Sequence, residues 1–208
     1  MKTAYKWLIV AAILICAIGV LATSSIATMQ LNEANAKFTY KGKPIHPFLV
    51  GKFYNWMSDK RPPIVTTVDV ASSFDTNEYQ LSTIEKRGNW WFSEKKEGLK
   101  DITLYEAFGY RWLGRLANGC HVIEMFENGG GSGAFTDLLL IKFSEGTIMR
   151  DDKKDKQLLM TVVGTYTLGD RYDGDIKVYP DKVIIPPSKD QRGGGSLEKD
   201  VELRFPAK

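Results

Sequence analysis

The chain has 208 residues, 43% of them hydrophobic and 12% aromatic, with 28 basic against 25 acidic side chains. This composition excludes a disordered chain and leaves enough length for a sizeable core; the near-balanced charge excludes the basic footprint of a nucleic-acid partner. Cys16 and Cys120 are the only cysteines, so the fold is not built on a disulfide framework.

The N-terminus reads as an export signal. Lys2 and Lys6 precede an uncharged apolar run from Trp7 to Ala22, and Ala34-Asn35-Ala36 supplies a small-residue cleavage site, so residues 1–36 resemble a secretory signal peptide. The run covers about 16 residues, below the roughly 17 to 25 that a spanning helix needs, which favours cleavage. Two alternatives remain open. Ser25-Ile26-Ala27 is a nearer small-x-small site, and tolerance of Thr23, Ser24 and Ser25 would extend the run to Ile26 as an uncleaved anchor. Lipidation at Cys16 is disfavoured, because Ile15 stands where a small residue is expected. The expected location is exported, periplasmic or extracellular, with a membrane-anchored form as the alternative; membrane contact arises only if the N-terminal segment stays. Residues 37–208 then form a single domain.

Within that domain the first element is a helix. Pro47 suits its first turn, Leu49, Phe53, Trp56 and Met57 recur at helical spacing with Val50 and Tyr54 beside them, and Arg61-Pro62-Pro63 ends it. From Ile64-Val65-Thr66-Thr67-Val68-Asp69-Val70 onward the pattern is of strands. Trp90-Trp91-Phe92 alternates between two faces, so its outward member is a candidate for a binding patch. Asn118-Gly119 predicts a two-residue type I′ hairpin that sets Leu116 opposite His121 and Trp112 opposite Met125, with Arg111 and Arg115 diagonal to Glu124. Phe135 to Phe143 and Leu158 to Tyr166 are apolar on both alternating sets, as strands covered on two sides would be. The mixed-sign run from Arg150 to Lys156 between them reads as a solvated loop. Short runs at Ile176 to Tyr179 and Val183 to Ile185, and the alternation of Val201, Leu203 and Phe205, continue the meander. The predicted fold is mainly β, a β-rich α+β domain: an antiparallel meander forming a sandwich or partly closed barrel with one packed N-terminal helix.

No motif names a reaction. Cys120 and His121 are adjacent, but strand neighbours point to opposite faces, so a packed free thiol outweighs a thiolate–imidazole pair. Asn128-Gly129-Gly130-Gly131-Ser132-Gly133, with a looser echo at Arg192-Gly193-Gly194-Gly195-Ser196, has the backbone freedom of an anion nest but lacks the Lys-Ser/Thr ending of a phosphate loop. Asp170-Arg171-Tyr172-Asp173-Gly174-Asp175 is rich in carboxylates yet lacks EF-hand spacing. These considerations favour a noncatalytic binding or interaction domain of the cell envelope. Its candidate ligand-binding residues are Asn128, Gly129, Gly130, Gly131, Ser132, Asp170, Arg171, Asp173 and Gly193, and neither metal nor cofactor is expected. The partner would be an envelope or extracellular protein, a glycan or a small ligand, with no nucleic acid. The rival expectations are a hydrolase using loop carboxylates such as Asp137, Glu124 or Asp173, and an envelope structural protein.

Overall fold

The computed structural model describes residues 28–53, 65–74, 82–99, 102–150, 153–188 and 199–205, with the backbone alone for 95–99, 102–105, 148–150 and 153–155. The leader residues 1–27, Trp56, Met57 and the second glycine cluster with Gly193 lie outside these. No helix among the described residues is long and apolar enough to cross a membrane.

The chain begins with helical residues 28–37 (α1) and the hairpin β1 (Thr39–Tyr40) and β2 (Lys43–Pro44). Lys41 (φ 51) and Gly42 (φ 73) both adopt left-handed backbone between the paired Tyr40 and Lys43, the geometry of a two-residue type I′ turn. The Glu33 carboxylate of α1 accepts the Thr39 hydroxyl at 2.9 Å and the Gly42 amide at 2.7 Å, fastening helix to hairpin. Next comes α2 (Pro47–Gly51), where proline occupies the first turn and His46 Nδ1 caps the Phe48 amide at 3.2 Å. The helix described ends at Gly51, with Lys52 and Phe53 in a turn; the rest of the predicted helix, from Tyr54 through Met57 to Arg61-Pro62-Pro63, lies outside the described residues. Strand β3 (Thr67–Asp69) is shorter than expected, because Asp69 caps the Ala71 amide at 3.0 Å and Val70 starts α3 (Val70–Phe74).

The body of the fold is an antiparallel meander: β4 (Glu85–Arg87), β5 (Trp90–Leu99), β6 (Ile102–Arg115), β7 (His121–Asn128), β8 (Phe135–Arg150) and β9 (Lys153–Asp170). Consecutive strands pair, β3 adds beside β9, and the order β3-β9-β8-β7-β6-β5-β4 leaves two open edges, so the sheet is not a closed barrel. A small sheet, β10 (Lys177–Val178), β11 (Lys182–Ile185) and β12 (Val201–Arg204), completes the fold. The charged run expected as a loop is instead the tip of the β8–β9 hairpin, paired as far as Arg150 with Lys153. Backbone pairing continues there past the apolar segments that marked the strands in sequence.

The Asn118-Gly119 turn corrects the predicted register. Only Gly119 is left-handed (φ 86), Gly119 N–H donates to Leu116 O at 3.0 Å, and Leu116 N–H donates to Cys120 O at 2.8 Å. A type I′ turn requires positive φ at both central residues; here three residues intervene, with glycine last. The extra residue sets Arg115, not Leu116, opposite His121. A bulge at Leu113 shifts the pairing again, so Met125 faces Tyr110 rather than Trp112, and Arg111 faces Glu124 directly rather than diagonally.

The sheet is covered on both faces, as its doubly apolar strands require. On one face Ala34, Phe38, Tyr40, Leu49, Val50 and Val70 from the N-terminal elements pack on Tyr110, Ile123, Met125, Leu139 and Ile141. On the other, Tyr172, Ile176, Val183 and Ile185 pack on Val122, Leu138 and Leu140. Each fully buried Leu, Ile or Val side chain in these layers contributes about 1.5–3 kcal/mol. Gly114 makes close approach possible on the second face, since a Cβ there would lie 3.3 Å from Val178.

Candidate functional site

The two loops singled out in the sequence meet, and they meet as a brace. Asp170 accepts the Ala134 amide at 2.6 Å, while Arg171 N–H donates to Ala134 O at 2.7 Å. The Arg171 guanidinium pairs with Asp170 at 3.0 Å and also donates to the Ser132 carbonyl. Asn128 closes the start of the loop by accepting the Gly130 amide at 2.8 Å, an Asx-type turn. Gly129, Gly130, Gly131 and Ser132 are exposed, and the charges beside them are engaged in holding the loop to the end of β9. Asp173 accepts the Ser188 hydroxyl at 2.8 Å.

Of the acids considered for hydrolysis, Glu124 and Asp173 both act on the Tyr172 hydroxyl on the face of the small sheet, and only Asp137 lies on the other face. Glu124 lies opposite Leu138, on the face of the small sheet, whereas the adjacent Asp137 shares the face of Leu139. Glu124 is buried and bound by Arg111 at 2.6 Å; burial pushes its carboxyl up to about 7 against the pull of that guanidinium. Cys120 and His121 also point to opposite faces. Burial raises the Cys120 thiol, and His121 is enclosed by the rings of Phe38, Trp112 and Phe143 at 5.5, 6.1 and 5.4 Å. Among the described residues no three His, Cys, Asp or Glu side chains gather as metal ligands.

A concave site forms where the end of α1 and the start of β1 meet β4, β5 and β6. It is a pocket of about 210 Å³ lined by Lys37, Phe38, Thr39, Lys86, Asn89, Trp91, Tyr110 and Trp112. Drug-sized ligands occupy about 300–1,000 Å³, so this volume suits one ring. Its floor is rigid. The Tyr110 hydroxyl donates to Ile45 O at 2.7 Å, and Phe38 packs edge-on against Tyr110 at 5.4 Å between ring centroids. Phe38 ends α1 in left-handed backbone (φ 55), a conformation that an aromatic residue adopts only when its surroundings impose it. Here burial does so, and the sharp exit places Lys37 and Thr39 on the same pocket.

The walls follow from register. Trp91 pairs with Tyr110, putting both on the N-terminal face, while Trp90 and Phe92 take the opposite face and stack on each other at 5.8 Å. Trp112 lies two residues along β6 from Tyr110, hence on the same face; its indole N–H donates to Gly114 O at 2.8 Å, yet 40% of the residue stays exposed. Between Arg87 and Trp90, Gly88 alone has positive φ (63), as in a type II′ turn with glycine first, and this turn carries Asn89 to the rim. The Lys86 ammonium lies 5.3 Å over the Trp91 ring.

Sequence reasoning selected the Trp90-Trp91-Phe92 segment, with Asn89 just before it, but missed Lys37, Lys86 and Trp112. The signal for Trp112 was its two-residue spacing from Tyr110 on a strand next to Trp91, which becomes visible only with the correct register. No protein-family model, curated protein or solved structure matches this chain.

Proposed function

We propose that the chain is an exported, noncatalytic binding domain of the cell envelope, and that its ligand presents a single ring to the Trp91–Trp112 pocket. The observation that carries this reading is the exposed indole of Trp112 standing beside Trp91 over a floor fixed by the left-handed Phe38. Aromatic side chains left open at a rigid concavity are the usual anchors of recognition.

Titrating the protein with a panel of saccharides, peptides and small aromatic compounds, followed by tryptophan fluorescence, tests the site. A ligand should bind the parent chain, and Trp112→Ala should weaken it about tenfold, equivalent to about 1.4 kcal/mol. Equal affinity in parent and variant would place the site elsewhere. Turnover of a hydrolase substrate that disappears in Glu124→Gln would replace the noncatalytic reading with the catalytic one.

Export rests on the leader pattern, and the buried position of Ala34 bears on its processing. Ala34 is fully enclosed in the core and Leu31 packs against it, so a cut after Ala36 would remove part of the fold. Cleavage after Ala27, or retention of the leader, keeps α1 whole.

A further inference from the structure

We propose that the ring recognised by the Trp91–Trp112 pocket is an anionic sugar, of the uronic-acid type found in acidic polysaccharides. The inference rests on the pocket reading above and adds to it the chemical class of the ligand.

Lys37 and Lys86 both line the pocket, no Asp or Glu does, and neither lysine makes an ion pair with a described residue. Two other lysines are matched by carboxylates, Lys156 with Glu145 at 3.5 Å and Lys182 with Glu202 at 3.1 Å. The Lys37 ammonium and the Lys86 ammonium, the latter resting over the Trp91 ring, create a local positive potential at one small concavity, and an anion seated there gains charge-assisted hydrogen bonds from both. The two lysines come from distant parts of the chain, the end of α1 and the edge strand β4, brought together by the exit at Phe38 and the pairing of Lys86 with Trp91.

Indole faces and polar rim groups meet at the same concavity. The face of an indole is the negative pole of its quadrupole, and it attracts the electropositive C–H face of a pyranose. The equatorial hydroxyls of such a ring point outward from its edge, where Asn89 and Thr39 stand at the rim. The Asn89 carboxamide has no hydrogen bond to a described residue, leaving its donors and acceptor for those hydroxyls. A carboxylate on the ring edge then lies within reach of the lysines. The pocket volume of about 210 Å³ limits direct contact to one residue of a longer polymer.

The experiment uses the full exported chain and four probes: a hexuronate oligosaccharide, its neutral hexose counterpart, a heparin-like sulfated oligosaccharide and benzoate. Tryptophan fluorescence and calorimetry read the affinities at low salt and at about 0.5 M salt, where the Debye length falls to a few ångströms. The proposal expects the hexuronate to bind at least tenfold more tightly than the neutral oligosaccharide, with the preference collapsing in high salt. Lys37→Gln/Lys86→Gln should remove the preference while lowering the thermal midpoint by no more than a few degrees, since both side chains are exposed and only the Lys86 contact with the Trp91 ring is lost. Trp112→Ala should weaken acidic and neutral sugars alike.

Equal binding of neutral and acidic sugars, lost in Trp112→Ala, would overturn the anionic class and leave the pocket reading standing. Binding of benzoate without any saccharide would overturn the sugar and retain the pocket. Preference for the sulfated oligosaccharide over the hexuronate would overturn the carboxylate assignment. Binding of every probe unchanged by Trp112→Ala, or binding of none, would overturn both this proposal and the pocket as the site.

Discussion

Two buried ionisable residues on opposite faces of β7 give the protein compensating responses to acid. His121 is fully enclosed, and among the described residues neither ring nitrogen has a hydrogen-bond partner. Burial, aided by the nearby Arg115 guanidinium, lowers its pKa from 6.5 to about 4. The unfolded chain therefore takes up a proton that the folded chain refuses. His121's contribution to stability is complete above about pH 6.5 and is lost as pH falls towards 4, at most about 3 kcal/mol over that window. Glu124 acts in the opposite sense. With its carboxyl raised from 4.5 to about 7, the folded chain holds a proton that the unfolded chain releases, so this contribution is complete below about pH 4.5 and is lost as pH rises through 7. The windows overlap and their slopes oppose. Urea unfolding of the parent between pH 4.5 and 7 should show a shallow dependence, Glu124→Gln should steepen the loss towards acid, and His121→Leu should make stability rise towards acid. Parallel curves for all three proteins would refute the assignment. The removal of two unpartnered buried nitrogens should also make His121→Leu at least as stable as the parent at pH 7.

At the level of elements, small backbone choices decide which side chains meet. The brace between the β7–β8 loop and the end of β9 depends on Asp170, which holds the Ala134 amide and the Arg171 guanidinium together. Asp170→Ala should cost about 1–3 kcal/mol and speed hydrogen exchange at Ala134, while leaving ligand affinity at Trp112 untouched. Unchanged exchange would show that the brace holds without its carboxylate. The strands themselves were legible, because β-branched and alternating apolar residues fit a pleated surface wherever one or both faces are covered. The turn was not. Asn118-Gly119 has the composition of a type I′ turn, but the Asn118 side chain accepts the Cys120 amide at 3.0 Å and the chain takes a three-residue path. Lys41-Gly42, with a lysine in left-handed backbone, adopts the turn that the sequence pattern assigned to Asn118-Gly119. One added loop residue and the bulge at Leu113 are enough to reassign every partner along β6. The candidate site was legible only as an aromatic segment: its lysines and Trp112 come from three other elements, and their meeting depends on pairing that a single strand pattern does not encode.

At the scale of the whole molecule, the N-terminal segment is part of the architecture that forms the pocket. Leu31 and Ala34 of α1 pack into the core, Glu33 ties the β1–β2 turn, and Lys37 and Phe38 form part of the pocket. A chain beginning at Thr28 should unfold in denaturant with a single transition and bind ligand. One beginning at Lys37 loses the Leu31 and Ala34 burial and two carboxylate hydrogen bonds, a destabilisation of roughly 3 kcal/mol or more. Equal midpoints for the two chains would remove α1 from the account of stability, and an exported protein whose first residue is Lys37 would refute processing before Thr28. Helix geometry has one more consequence. Ten helical residues rise about 15 Å, and the pocket lies at the far end of α1 from Thr28. Whatever the chain is attached to through its N-terminus, a lipid-embedded leader or a surface chosen by an experimenter, is joined at the opposite end of a rigid spacer, so immobilisation there keeps the ligand's approach to Trp112 free.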